Sequence, residues 1–231
     1  TNALDLNAKA YYMVHDGTGT VLLDSNADEL HGPASLTKLM TLYLLFEALD
    51  DGRLTLDTEL PVSEKAWRMG GSKMFVEVGK TAKVNDLIQG IAVSSGNDAC
   101  IVVAEFLGGN EESFAAQMTA KARELGMEKT VFKNATGWPD PEQVITAKEI
   151  TLLAQRLWND FPARHDVFSQ TEFEYSGINQ HNRNGLLTAG IGVDGMKTGH
   201  TEESGFHLVT TAERDGERLF AAVLGTDSMK A

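Results

Sequence analysis

The stretch from about Ser35 to Asp51 constrains the fold more than any other part of this sequence. It is predicted to form a helix, because Pro33 stands just before its start and Gly52 just after its end. Apolar side chains occupy nearly all of its faces, at Leu36, Leu39, Met40, Tyr43, Leu44, Phe46 and Leu49. A helix that lacks a polar face is buried on most sides. The rest of the chain must therefore enclose this helix in a sizeable core.

Strand patterns lie near both ends of the chain. Two apolar runs flank the turn residues 16–19, which is typical of a hairpin. Three short runs of apolar and β-branched residues follow near the other end, at residues 192–198, 205–211 and 218–224. Helical patterns fill the middle, at about residues 98–107, 112–125 and 147–158. This order predicts an α+β fold, in which an antiparallel sheet built from both chain ends packs with helices beside a mostly helical subdomain.

Charge and composition exclude several classes of protein. Lys and Arg total 20 and Asp and Glu total 33, so the formal net charge is −13, which makes nucleic-acid binding a poor hypothesis. The longest apolar stretch, residues 39–46, is far shorter than the roughly 20 residues that cross a bilayer. The single cysteine, Cys100, lies among apolar residues and is expected to be buried in the core. We expect no metal and no cofactor.

Ser35 and Lys38 stand three residues apart at the predicted start of the core helix. Residues at i and i+3 share a helix face, so the Lys38 amine can reach the Ser35 hydroxyl. A serine is a weak nucleophile until a base removes its proton, and burial lowers the pKa of a lysine toward the range that a base needs. The pair is a candidate nucleophile and base, although a capping serine beside a solvated lysine would have the same spacing.

Two further motifs combine hydroxyl, amide and amine groups. Ser95 and Asn97 stand two apart in a break between predicted helices, where both side chains can face a cleft. Lys197 and Thr198 lie on a predicted strand, where alternate side chains share a face, and Gly199 allows another backbone to approach. Ordinary turn chemistry and a basic edge strand would explain each pattern taken separately.

The three motifs each occur once, in the order SxxK, SGN and KTG, on a helix, a loop and a strand. This set resembles the signature of the penicillin-recognising serine acyltransferases. Longer matches to the low-molecular-weight penicillin-binding proteins, the serine-type D-alanyl-D-alanine carboxypeptidases, lie at residues 33–41, 71–75, 94–99, 182–187 and 194–201. The resemblance implies a β-lactamase/transpeptidase-like fold and one catalytic domain over residues 1–231. Its sheet part would comprise about 1–50 and 185–231, and its helical part about 51–184.

The resemblance also implies a role for each motif residue. Ser35 would attack the carbonyl between the two terminal D-alanines, with Lys38 as general base and Ser95 as the proton relay to the leaving D-alanine. The backbone N–H groups of Ser35 and His200 would form the oxyanion hole. The expected substrate-binding residues are Asn97, Lys197, Thr198, Gly199 and His200.

The implied activity is removal of the terminal D-Ala from peptidoglycan pentapeptide through an acyl-enzyme, with inhibition by penicillin. The expected partners are the peptidoglycan stem peptide and β-lactam antibiotics, and not nucleic acid. The expected location is the bacterial periplasm or cell envelope, with the signal peptide absent from the mature chain. Family members usually continue into a second domain and a C-terminal membrane anchor, and both are expected to be absent from these 231 residues.

Three other activities stay open at this point. A DD-endopeptidase would use the same residues on cross-linked peptides. A class A-like β-lactamase shares the fold but needs a loop glutamate to activate the deacylating water. The corresponding residues 137–144 contain one glutamate, Glu142, which is expected to be a solvated loop charge. A non-hydrolytic β-lactam sensor domain would form the acyl-enzyme and then signal.

Overall fold

The structure is a computed structural model that describes residues 6–228. Its helices are α1 (Lys38–Asp50), α2 (Glu64–Arg68), α3 (Val84–Ala92), α4 (Asn97–Gly108), α5 (Glu111–Glu124) and α6 (Ala147–Asp160). Its strands are β1 (Ala10–His15), β2 (Val21–Ser25), β3 (Glu59–Pro61), β4 (Thr81–Lys83), β5 (Glu172–Tyr175), β6 (Ile178–His181), β7 (Val193–Thr201), β8 (Gly205–Arg214) and β9 (Glu217–Thr226). The predicted domain limits at Thr1 and Ala231 lie outside the described residues.

Both ends of the chain contribute to one five-stranded antiparallel sheet. Its strand order is β2-β1-β9-β8-β7, so β7 is an edge strand. β1 joins the N-terminal hairpin to the C-terminal strands, with Tyr12 opposite Ala222 of β9. Asp215 and Gly216, both at positive φ, make the tight turn between β8 and β9. The predicted α+β fold with a sheet built from both ends is confirmed.

The apolar helix α1 lies at the centre of the molecule. Every residue from Lys38 to Phe46 is buried, and the helix contacts α3, α4, α5 and α6. Helix α6 fills the space between α1 and the sheet, where it packs against β1 and β9. Its buried side chains recur at helical spacing, at Ile150, Leu153, Ala154 and Leu157. The start of α1 is therefore held between a helical layer and the sheet.

Several elements differ from the sequence expectations. Helix α1 begins at Lys38, because residues Ala34–Thr37 form a 3-10 turn whose first residue has a φ of 50°. The antiparallel pair β3–β4 and the hairpin β5–β6 were not predicted, since strands of three or four residues are too short to show a clear alternation. Cys100 on α4 is fully buried, as predicted, and burial raises the pKa of its thiol to about 12.

Candidate active site

Ser35 and Lys38 meet where the 3-10 turn runs into α1. The Lys38 amine donates a hydrogen bond to the Ser35 hydroxyl at 2.8 Å, as the i, i+3 spacing predicts. Only 1% of Lys38 is exposed. Burial lowers the pKa of Lys38 from its ordinary value of 10.5 to about 8, because the charged amine loses its hydration. About a tenth of this amine is therefore neutral at pH 7, compared with far less for an ordinary lysine.

Ser95 lies in the turn between α3 and α4, in the left-handed region with a φ of 56°. This conformation is uncommon for a residue with a side chain. It places the Ser95 hydroxyl where it donates to the Ser35 hydroxyl at 3.1 Å. The Lys197 amine in turn donates to the Ser95 hydroxyl at 3.1 Å. One chain of hydrogen bonds thus joins two amines through two hydroxyls.

Lys197 joins these hydrogen bonds from the edge strand β7. It is 4% exposed, and it also donates to the carbonyl oxygen of Thr198 at 2.9 Å. Burial lowers the pKa of Lys197 well below its ordinary value, and the neighbouring Lys38 amine lowers it further. Gly199 lets β7 approach the nucleophile, since a Cβ at this position would lie 3.2 Å from the backbone nitrogen of Ser35.

A cleft of about 570 Å³ opens in front of these groups. Among the residues predicted from the sequence, its lining includes Ser35, Ser95, Asn97, Thr198, Gly199 and His200. Lys38 and Lys197 stand behind the two serines and do not line it. Asn97 is the first residue of α4, and its side-chain amide donates to the carbonyl of Gly70 at 2.9 Å. The structure therefore brings all eight predicted site residues to one cleft.

Three other residues of the cleft were given no role from the sequence. Arg183 donates to the Ser72 hydroxyl at 3.1 Å, and its positive charge lowers the pKa of Lys38. Trp138 is 48% exposed and packs against the glycines at 70 and 71. An aromatic residue in a Gly/Pro-rich loop was the one signal that could have indicated Trp138. Ser72 and Arg183 lie in the stretches 71–75 and 182–187, whose resemblance to the family was the signal that could have indicated them.

Within residues 6–228, no group of three or more His, Cys, Asp or Glu side chains is arranged to hold a metal ion. In the same part of the chain, no helix is long and apolar enough to cross a membrane. The chemical groups of the cleft are hydroxyls, amides, a guanidinium and two buried amines. Together they can activate a serine hydroxyl, stabilise an acyl intermediate and hold a polar ligand.

A family model described as D-alanyl-D-alanine carboxypeptidase matches residues 1–228. The chain belongs to this carboxypeptidase family. A curated family relative, D-alanyl-D-alanine carboxypeptidase DacC of Escherichia coli (strain K12), is 38% identical over 230 residues. The match covers 96% of this chain and 58% of the relative, so the chain spans less than two thirds of that protein's length.

Solved structures related to this carboxypeptidase family have the same fold. Penicillin binding protein 5 from Haemophilus influenzae superposes with a TM-score of 0.96 at 34% identity, over 100% of this chain and 68% of that chain. Penicillin-Binding Protein D2 from Listeria monocytogenes, in the ampicillin-bound form, superposes with a TM-score of 0.90 at 32% identity. That match covers 99% of this chain and 94% of the other. The family and fold indicated by the three motifs are confirmed.

Proposed function

We propose that this chain is the catalytic part of a serine D-alanyl-D-alanine carboxypeptidase, which removes the terminal D-Ala from the peptidoglycan pentapeptide. The observation that carries the proposal is the hydrogen-bond chain from Lys38 through Ser35 and Ser95 to Lys197. A hydroxyl between an amine of lowered pKa and a second hydroxyl has both a base and a proton relay within reach.

The first half of the reaction forms the acyl-enzyme. The Ser35 oxygen attacks the carbonyl carbon between the two terminal D-alanines while the neutral Lys38 amine takes its proton. The backbone N–H groups of Ser35 and His200 stabilise the oxyanion that results. The C–N bond then breaks, and the leaving nitrogen receives its proton through the Ser95 hydroxyl. This step releases D-Ala and leaves the peptide as an ester of Ser35.

The second half of the reaction hydrolyses that ester. Water adds to the ester carbonyl and loses its proton to the same amine and hydroxyl chain, and the serine oxygen leaves with a proton. In both halves the substrate is held along β7, where Thr198 and Gly199 line the cleft. The Lys197 amine and the Thr198 hydroxyl favour a substrate carboxylate, and Asn97 is placed to hold the peptide amide.

We further propose that β-lactam antibiotics acylate Ser35 and that the resulting ester leaves slowly. Among the described residues that line the cleft there is no carboxylate to activate a deacylating water. The side chain of Glu142 is 74% exposed and lies 3.3 Å from the Lys133 amine. Glu142 is thus a solvated loop charge, which favours a carboxypeptidase over a class A-like β-lactamase. Because the substrate is cell-wall peptide, we place the protein in the bacterial cell envelope, on the periplasmic side.

The test combines two measurements on the same preparation. Intact mass, followed over time after mixing with benzylpenicillin, detects an adduct on the protein. Release of D-Ala from a peptide ending in D-Ala-D-Ala measures turnover. We expect a one-drug adduct that lasts minutes or longer, together with D-Ala release. The Ser35→Ala variant should lose both activities, whereas Ser113→Ala, an exposed serine on α5, should retain both.

Other results would contradict the proposal in distinguishable ways. Rapid loss of drug without an adduct would identify a β-lactamase. A lasting adduct without D-Ala release would identify a sensor domain. Cleavage of a cross-linked dimer in preference to the pentapeptide would identify an endopeptidase.

A further inference from the structure

Asp98 directly follows the SGN motif and lies in the first turn of α4, with 1% of its surface exposed. Its carboxylate accepts hydrogen bonds from the backbone N–H groups of Met74 at 2.9 Å, Phe75 at 2.9 Å and Val76 at 3.0 Å. The N–H of Ala99 completes the set at 2.9 Å. A buried carboxylate with four backbone donors is well satisfied, since hydrogen bonds to charged groups are the strong ones. Asp98 therefore joins α4 to a segment that lies about two dozen residues earlier in the chain.

That segment, residues 70–76, forms one wall of the cleft. The residues at 71 and 72 line it, and Ser72 accepts the hydrogen bond from Arg183. A second connection reinforces the first, because the backbone N–H of Asn97 donates to the carbonyl of Ser72 at 2.8 Å. The wall is thus attached to the turn that carries Ser95 and Asn97 by side-chain and backbone bonds together.

The conformation of the wall depends on this attachment. Phe75 has a φ of 72°, in the left-handed region that is an outlier for a bulky residue. Its side chain is half-exposed, so packing of the ring does not compensate for the strain. The strain is compensated by the hydrogen bonds that the N–H groups of Phe75 and its two neighbours donate to the Asp98 carboxylate.

We propose that Asp98 is a positioning residue for acyl transfer: it fixes the 70–76 wall against the turn that carries the proton relay. The inference rests on the proposed function and extends it to a residue that touches neither the substrate nor the reacting atoms. The geometry shows how Asp98 holds the wall. One carboxylate oxygen accepts the N–H of Met74, and the other accepts those of Phe75 and Val76.

The charge of Asp98 also changes the pKa of Lys38, the proposed general base. Several groups face the buried Lys38 amine: the hydroxyl of Ser35, the thiol of Cys100, the amine of Lys197 and the guanidinium of Arg183. Burial and Arg183 lower the pKa of Lys38, whereas Asp98 raises it. Removal of the Asp98 charge should therefore lower this pKa further, so that the neutral base is present at lower pH.

Asp98→Asn removes the charge and replaces one acceptor oxygen with an NH₂ group, which faces N–H donors. We expect acylation of Ser35 by benzylpenicillin to slow by about 10- to 100-fold at the high-pH plateau of its rate, since displacement of reacting groups by about 1 Å can cost about 100-fold. We also expect the midpoint of its pH dependence to move to lower pH. Asp98→Glu keeps the charge but misplaces it, so its rate should fall while its midpoint stays near that of the wild type.

Glu149 on α6 supplies a matched control. It is also a buried carboxylate that accepts backbone N–H groups, from Lys129 at 3.0 Å and Thr130 at 3.0 Å. Neither partner lines the cleft. Glu149→Gln should lower the melting temperature, as Asp98→Asn should, but leave the acylation rate and its pH midpoint at wild-type values. An Asp98→Asn variant with a wild-type rate and midpoint would overturn the proposal.

A measurement on the unaltered protein covers the case in which the variants do not fold. Hydrogen exchange should show the amides of Met74, Phe75 and Val76 protected to the level of α4 amides. Exchange at the rate of exposed turn amides would overturn the proposal. This result tests whether Asp98 holds the wall in place even if the wild-type protein takes up no drug, an outcome that would count against the proposed function alone.

Discussion

Two buried amines stand behind the cleft, one on helix α1 and one on the edge strand β7. The surroundings of these two amines differ. Lys38, on the helical side, donates to the hydroxyl of Ser35. Lys197, on the edge strand, donates to Ser95 and to the carbonyl of Thr198. A carbonyl acceptor fixes the direction of an amine and keeps it a donor. An amine hydrogen-bonded to a nucleophile is placed to remove its proton. The comparison supports the proposal that the helix supplies the base, Lys38, and that the strand supplies an orienting hydrogen-bond donor, Lys197.

The largest expected difference between the two lysines is in the rate of acylation. Lys38→Met keeps an unbranched side chain of similar length but removes the proposed base. General-base catalysis contributes about 10²- to 10⁴-fold, so acylation by benzylpenicillin should slow by that factor. Rapid quenching followed by intact-mass measurement gives the rate. Lys148→Met, an exposed lysine on α6, serves as the control. A Lys38→Met rate within threefold of the wild type would place the base elsewhere.

The same substitution should stabilise the fold. The pKa of Lys38 is about 8 in the folded protein and 10.5 ordinarily, and at roughly 1.4 kcal/mol per pKa unit the charged form costs the fold about 3 kcal/mol. This cost is fully present below pH 8 and disappears as pH rises to 10.5. Lys38→Met should therefore melt several degrees higher at pH 7, and its advantage over the wild type should shrink between pH 8 and 10.5. A constant advantage across this range would exclude a buried titrating amine.

Lys197→Met tests the strand side of the comparison. It removes hydrogen bonds to Ser95 and to the Thr198 carbonyl but leaves Lys38 beside Ser35. Because the two lost hydrogen bonds contribute about 0.5–1.5 kcal/mol each, the rate should fall by about 10- to 100-fold, less than for Lys38→Met. Acylation kinetics of the two variants side by side measure the ranking. Equal losses would mean that the two lysines act as one unit.

The fold class and the three motifs could be recognised in the sequence for a physical reason. A helix with apolar residues on all faces and strands with short-range alternation both carry their pattern locally. The order SxxK, SGN, KTG resembles a family signature, and only that resemblance implied that Ser35, Lys38, Ser95 and Lys197 share one site. The apolar helix also indicated burial of Lys38, but the burial of Lys197 was not predicted, because it depends on how the edge strand packs against distant elements.

The 70–76 wall of the cleft shows the limit of prediction from sequence more directly. Residues 70–76 have no helical or strand periodicity, and their conformation is set by hydrogen bonds to Asp98. Such side-chain-to-backbone bonds leave no spacing rule in the sequence, because the backbone donors can belong to any residue type. Arg183 and Trp138 reach the cleft in the same way, on loops without a repeating pattern. Long-range polar contacts of this kind can be found only in the folded structure.

The smallest expected effects are shifts in the pH midpoint of acylation. They sharpen the comparison of Lys38 with Lys197 by identifying which of the two amines titrates. With the pKa of Lys38 at about 8, the neutral base grows as pH rises, so acylation should be half-maximal near pH 8 and about a tenth of its plateau at pH 7. Arg183 lowers this pKa, so Arg183→Gln should move the midpoint to higher pH, opposite to the direction expected for Asp98→Asn. Acylation rates from pH 6 to 10 measure both shifts. If the two variants shifted the midpoint in the same direction, the titrating group would not be the amine that lies between these two charges.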